Sequence, residues 1–125
     1  MRLTKMAVLL FISVLAFPAI AETRLMMIEE EGCVWCIQWN NDVGGEYAIT
    51  LEGKIAPLWR HNISDPTPEG VAFSSPPQYT PTFILLVDGE EVNRIEGYPG
   101  EGFFWGLLEL MLANLPESEG IYSGS

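Results

Sequence analysis

The chain has 125 residues, with six basic side chains against seventeen acidic ones, two cysteines and one histidine. That length allows one domain, and a net charge of −11 excludes a nucleic-acid binder, whose phosphate contacts need clustered Lys and Arg. Two cysteines and one histidine cannot close a structural zinc site without carboxylates, and with 48% apolar residues the chain is not a disordered acidic one.

Arg2 and Lys5 precede an apolar run from Met6 to Phe17, broken only by Ser13, and Pro18-Ala19-Ile20-Ala21 follows. This order predicts a secretory signal peptide over residues 1–21, cut after Ala21. The run is shorter than the roughly 20 apolar residues that span a bilayer. Its removal leaves four basic and seventeen acidic residues, a charge of −13. Such a surface repels nucleic acid and anionic membranes, so neither is expected as a partner. An exported thiol pair meets an oxidising compartment.

Residues 22–115 are expected to form one α/β domain, and 116–125 a tail. Leu25 to Ile28 reads as a buried strand. Cys33 to Val43 reads as a helix, with Cys36, Trp39 and Val43 on one face, stopped by Gly44-Gly45. Residues 46–56 suit either helix or loop. Leu58 to Ile63 alternates as a second strand, and residues 64–80, with four prolines, read as loop with at most one short helix. Phe83 to Val87 is a continuous apolar strand, and Asp88-Gly89 a hairpin turn. Glu91 to Glu96 is the returning strand, with Val92 and Ile95 as its apolar members. Phe103, Phe104, Leu107, Leu108, Met111, Leu112 and Leu115 make the stripe of a last helix. The order β-α-β-loop-β-β-α predicts a mixed four-stranded sheet with helices on its faces, and a ferredoxin-like arrangement fits the same pattern.

Cys33 and Cys36 fall where the first strand hands over to the first helix. A helix start favours a thiolate on the first cysteine, so Cys33 is the candidate attacking sulfur and Cys36 the resolving one. A plain staple is the weaker reading. Closing so short a loop gives about 2 kcal/mol in the chain-entropy model, against roughly 3 for fifteen residues. A Cu(I) or zinc carrier is the other alternative, with Met26, Met27 or His61 as further ligands. A c-type haem needs His after the second cysteine, where Ile37 stands. No cofactor or metal is assigned.

Tyr79-Thr80-Pro81-Thr82 leads into the third strand, an unusual place for proline. Strand, CxxC at a helix start, strand, Thr-Pro-Thr before a third strand, Asp-Gly hairpin, Gly97 and amphipathic helix together resemble the thioredoxin fold over about residues 23–115. The resemblance implies a cis Pro81 against the cysteines, with Thr80 offering backbone hydrogen bonds to a substrate strand. It also places Met27 where thioredoxin keeps a buried acid. A glutaredoxin-like route through a mixed disulfide needs no such acid.

Glu30-Glu31-Gly32-Cys33-Val34-Trp35-Cys36, Ala56-Pro57-Leu58, Tyr79 to Phe83 and Glu96 to Gly100 resemble the SoxS-type periplasmic thioredoxins of bacterial sulfur-oxidation (Sox) clusters. That likeness implies a periplasmic thiol-disulfide oxidoreductase, acting as a reductase that keeps the cysteine of the Sox sulfur-carrier protein active. It implies a membrane thiol transporter of the DsbD/CcdA type as electron donor. An oxidase of DsbA type is the same fold with electron flow reversed.

Glu29, Glu30 and Glu31 crowd the thiols and should oppose a thiolate on Cys33, although a solvated turn ending a strand explains them more simply. Trp35 suits a surface contact with a partner as well as it suits packing. Trp39, Trp59 and Trp105 are expected in the core, and His61 as a structural histidine. Arg60 and Lys54 carry no assigned role.

Overall fold

The computed structural model describes residues 9–15 and 21–115. Most of the expected signal segment and all of the expected tail, 116–125, lie outside the described residues. Residues 9–15 are exposed and carry no regular structure, and no described helix is long and apolar enough to cross a membrane.

Four strands form one sheet in the order β2-β1-β3-β4. They are β1 (Thr23–Glu29), β2 (Leu58–Asn62), β3 (Thr82–Val87) and β4 (Glu90–Glu96). β1 pairs parallel to β2 and antiparallel to β3, and β3 pairs antiparallel to β4. The two inner strands are the apolar runs of the sequence, because both of their faces are covered. Leu25, Met27, Phe83 and Leu85 point into one cluster, and Met26, Ile28, Ile84 and Leu86 into another.

The parallel β1–β2 connection needs a crossover. It contains α1 (Val34–Trp39), a π-helical turn (Asn40–Gly44), a 3₁₀ turn (Tyr47–Ile49) and α2 (Leu51–Ile55). The ambiguous stretch 46–56 is thus largely helical. Thr50 caps α2 by accepting from the Gly53 amide at 3.0 Å. The Tyr47 hydroxyl donates to the Ala56 carbonyl.

The final helix is α3 (Glu101–Ala113), which buries Phe104, Leu108, Met111 and Leu112 against the cysteine face of the sheet. Both the crossover and α3 join that one cluster. The opposite face is covered instead by Trp59 and by Ile63, Val71 and Phe73 from the long connection before β3. That connection holds no helix among the described residues; Ala72 makes only an isolated bridge to Glu90.

Three expectations about apolar side chains fail. Phe103 and Leu107 are exposed, because the helix is apolar on more than its core-facing side. Val92 is half exposed: Leu85 pairs with Asn93 and Leu86 with Glu91, so a bulge leaves Val92 unpaired. Trp39 is fully buried, whereas Trp59 and Trp105 sit half-buried at the margins of the two clusters. The β3–β4 turn follows its sequence, with Asp88 at φ 51° and Gly89 at φ 82°, the left-handed pair of a type I′ hairpin.

Gly53 is needed for a different reason, since a Cβ there would meet the Tyr47 carbonyl oxygen at 1.8 Å. Backbone cannot yield as a side-chain tip can. Gly53→Ala should cost about 1–3 kcal/mol, the range for overpacking, as read from the urea midpoint with an unchanged m-value.

Candidate active site

The two cysteines are joined as a disulfide, with their Cα atoms 5.2 Å apart. Cys33 is the N-cap of α1, and its Sγ accepts from the Cys36 amide at 3.1 Å. Gly32, just before it, takes φ +77°, which a side chain would resist, and so turns the chain from β1 into the helix. Cys33 is 8% exposed and Cys36 4%, so the first cysteine is the more exposed of the two. Both pack with Met27, Trp39, Phe83 and Tyr98 in the main cluster.

The Thr80–Pro81 peptide bond is cis, and Pro81 is buried. The β1–β3 register brings its loop to the cysteines. Ile28 pairs with Thr82, so the residues before Thr82 run alongside those after Ile28. The Thr80 hydroxyl donates to the Glu30 carboxylate at 2.8 Å, while the Cys33 amide donates to the Glu30 carbonyl at 3.4 Å. Glu30 therefore touches both the proline loop and the first cysteine. Val34 and Trp35, between the cysteines, are exposed apolar side chains, Trp35 at 60%, and Tyr79, just before the proline loop, is exposed as well. The sequence allowed Trp35 either a surface or a packed place, and it occupies the surface.

Arg60, which the sequence left without a role, lies close to the disulfide's surroundings. Its guanidinium donates to Glu29 at 2.6 Å and to the Asn40 side chain at 2.8 Å, and it stands 5.8 Å over the Trp39 ring. It also approaches the sulfur of Met27 at 3.7 Å. Parallel pairing sets Arg60 opposite Met27, which is why a β2 side chain reaches the ground beneath α1. No signal in the sequence marks this; it follows from register alone.

The further ligands of a metal reading do not converge. Met26 faces the second cluster, and His61 pairs with Ile28, which also faces it. Met27 is on the cysteine face but wholly buried. Among the described residues no three of His, Cys, Asp and Glu are grouped as metal ligands would be. Joined as a disulfide at a helix start, the pair is built for exchange between disulfide and dithiol.

A second polar contact ties the lower end of the first helical segment to the loop before α3. The Tyr98 hydroxyl donates to Asp42 at 2.8 Å. Burial, then the Asp42 hydrogen bond and charge, push the Tyr98 hydroxyl well above its ordinary value of about 10.

In a comparison with solved structures, the chain is similar to the periplasmic thioredoxin SoxS from Paracoccus pantotrophus, solved in its reduced form. The identity is 42%, with a TM-score of 0.71, covering 72% of this chain and 95% of that one. No protein-family model and no curated protein matches.

A raised tyrosine value has a definite pH signature. The unfolded chain ionises near pH 10 while folded Tyr98 keeps its proton, so stability is full below that pH and drains as pH rises above it. Tyr98→Phe should cost about 1 kcal/mol at pH 8 through the lost hydrogen bond. It should also lose less than the parent protein between pH 9 and pH 11, measured by urea unfolding at each pH.

Proposed function

This chain belongs to the SoxS family of thioredoxin-fold thiol-disulfide oxidoreductases, and from that premise we propose that it works as a periplasmic reductase. Its substrate in this reading is the sulfur-carrier protein of a sulfur-oxidation system, whose cysteine it keeps free of disulfides and other adducts. The observation that carries the reading is the Cys33–Cys36 disulfide at the start of a helix, joined to the Thr80–Pro81 loop through Glu30. Residues 1–21 act as the export signal, residues 22–115 as the working domain, and electrons come from a membrane thiol transporter of the DsbD/CcdA type.

In the reduced protein Cys33 attacks as a thiolate, supported by the Cys36 amide at its sulfur. A bond forms between Cys33 Sγ and one sulfur of the partner's disulfide, and the partner's other sulfur leaves as a thiolate. Cys36, deprotonated in turn, attacks Cys33 Sγ. The Cys33–Cys36 bond closes, the second partner sulfur leaves, and two electrons have passed to the partner, whose thiolates take protons from solvent. Met27 cannot accept the Cys36 proton, because a thioether is at most a weak acceptor. That proton leaves to water. The backbone of Thr80, beside Pro81, receives the partner's strand, and the exposed Trp35 offers that strand apolar surface.

Cys36→Ser in the exported chain should accumulate a partner disulfide-linked through Cys33, and Cys33→Ser should accumulate none; absence of any trapped partner refutes the reading. The reduction potential tests direction. A value near −270 mV, that of thioredoxin, fits a reductase, and one near −120 mV, that of DsbA, would reverse the assignment.

A further inference from the structure

Three glutamates precede the cysteines, and their surroundings differ. Glu29 is neutralised by Arg60 at 2.6 Å. Glu31 is exposed, with no ion pair or side-chain hydrogen bond among the described residues. Glu30 is also exposed, yet it is not free. The Thr80 hydroxyl holds its carboxylate, and its own carbonyl accepts the Cys33 amide. A charge that would otherwise sweep through solvent is tied to the proline loop, on a residue whose backbone carbonyl is bonded to the first cysteine. Its partner is a neutral hydroxyl, so the negative charge remains.

Among the described residues no basic side chain pairs with it. Arg60 is spent on Glu29 and Asn40. Arg94 is bound to Glu91 on β4, with Glu96 3.6 Å away. Arg24 lies against Trp59, and Lys54 in the last turn of α2. From the other packed elements the charges are again acidic: Asp42, engaged by Gln38 and Tyr98, and Glu101 at the start of α3.

We infer that Glu30 is a positioning residue of the exchange. Held by Thr80, its carboxylate is a fixed negative charge that opposes the Cys33 thiolate, destabilises the dithiol state and keeps the pair a reductant. The inference rests on the proposed function and gives a physical cause for its direction. A stabilised thiolate is what makes an oxidant of this kind of pair, because it stabilises the reduced form. A negative charge held near the first cysteine acts in the opposite sense. It works against the Cys36 amide at the same sulfur, so the two together set the balance.

The test is Glu30→Gln, which keeps the shape and removes the charge. Thiolate formation on reduced Cys33 is followed by its alkylation rate against pH, and the thiol-disulfide equilibrium by titration with glutathione at several pH values. The Cys33 thiolate should form about half a pH unit lower. The equilibrium should move about threefold toward the dithiol at pH values above both thiol pKa values, and not at all well below them, where both proteins are fully protonated.

Glu31→Gln, a like charge without an anchor, should give less than half that shift. In a Thr80→Val background the Glu30→Gln effect should shrink, as a double-mutant cycle would show. An unchanged thiolate pH in Glu30→Gln overturns the inference, as does an equilibrium shift of equal size at every pH, which signals altered geometry rather than charge. Equal effects of Glu30→Gln and Glu31→Gln overturn the role of the anchor. A parent protein that cycles normally with Glu30→Gln unchanged sinks this inference alone; a parent protein that does not cycle sinks the proposed function with it.

Discussion

Strand β1 is hydrogen-bonded along both of its edges, and the rest of the molecule takes its alignment from those two ladders. On one side the parallel register sets Met27 beside Arg60 and Glu29 beside Asn62. On the other the antiparallel register sets Ile28 beside Thr82, which delivers Thr80 and Pro81 to the turn that leads into Cys33. Each ladder thus brings one sequence-distant group to the end of a single seven-residue strand. A slip of one residue would exchange Leu25 and Met27 with Met26 and Ile28 across the sheet. It would also separate Glu30 from Thr80, and the disulfide would lose its neighbour loop.

The ground beneath the disulfide is composed unlike its rim. Below α1 it is apolar and aromatic, with Trp39 packed against Phe83 and Phe104 at centroid distances of 5.3 and 5.7 Å. These contacts hold α1 rigidly, so that the N-cap sulfur keeps its place relative to the sheet. At the rim are Glu30, Glu31 and the Glu29–Arg60 pair. The rigid base sets where the sulfur sits, and the charged rim bears on how readily it ionises. Separation of these two duties along the chain lets one change without disturbing the other.

Much of this was readable from residues alone. The inner strands announce themselves as unbroken apolar runs, the hairpin by Asp88-Gly89, and the redox pair by CxxC placed between strand and helix. The proline loop was legible through its position before a strand that has no other use for Pro81. What was not legible depends on pairing. Arg60 sits 33 residues from Met27 and Tyr98 56 residues from Asp42, and no local pattern links either pair. Val92 and Ile95 cannot share one face of a strictly alternating strand, and the bulge that displaces Val92 is a product of the β3 register. Likewise Phe103 and Leu107 extend an apolar stripe past the width of the core that receives it. Composition shows how many apolar residues a helix has, but not how wide a groove awaits them.

The bulge at Val92 has a further effect at the border of the sheet. β4 is an edge strand, and its first residues are already occupied: the Glu91 amide donates to Ala72 at 3.0 Å and the Ala72 amide to Gly89 at 2.9 Å. Beyond them the bulge interrupts the row of outward amides, and Arg94 and Glu96 flank what is left. The opposite border, β2, is only five residues long. Among the described residues both borders are short or interrupted, so the sheet offers a second molecule little backbone to pair with, which works against stacked, fibre-like assembly at high local concentration.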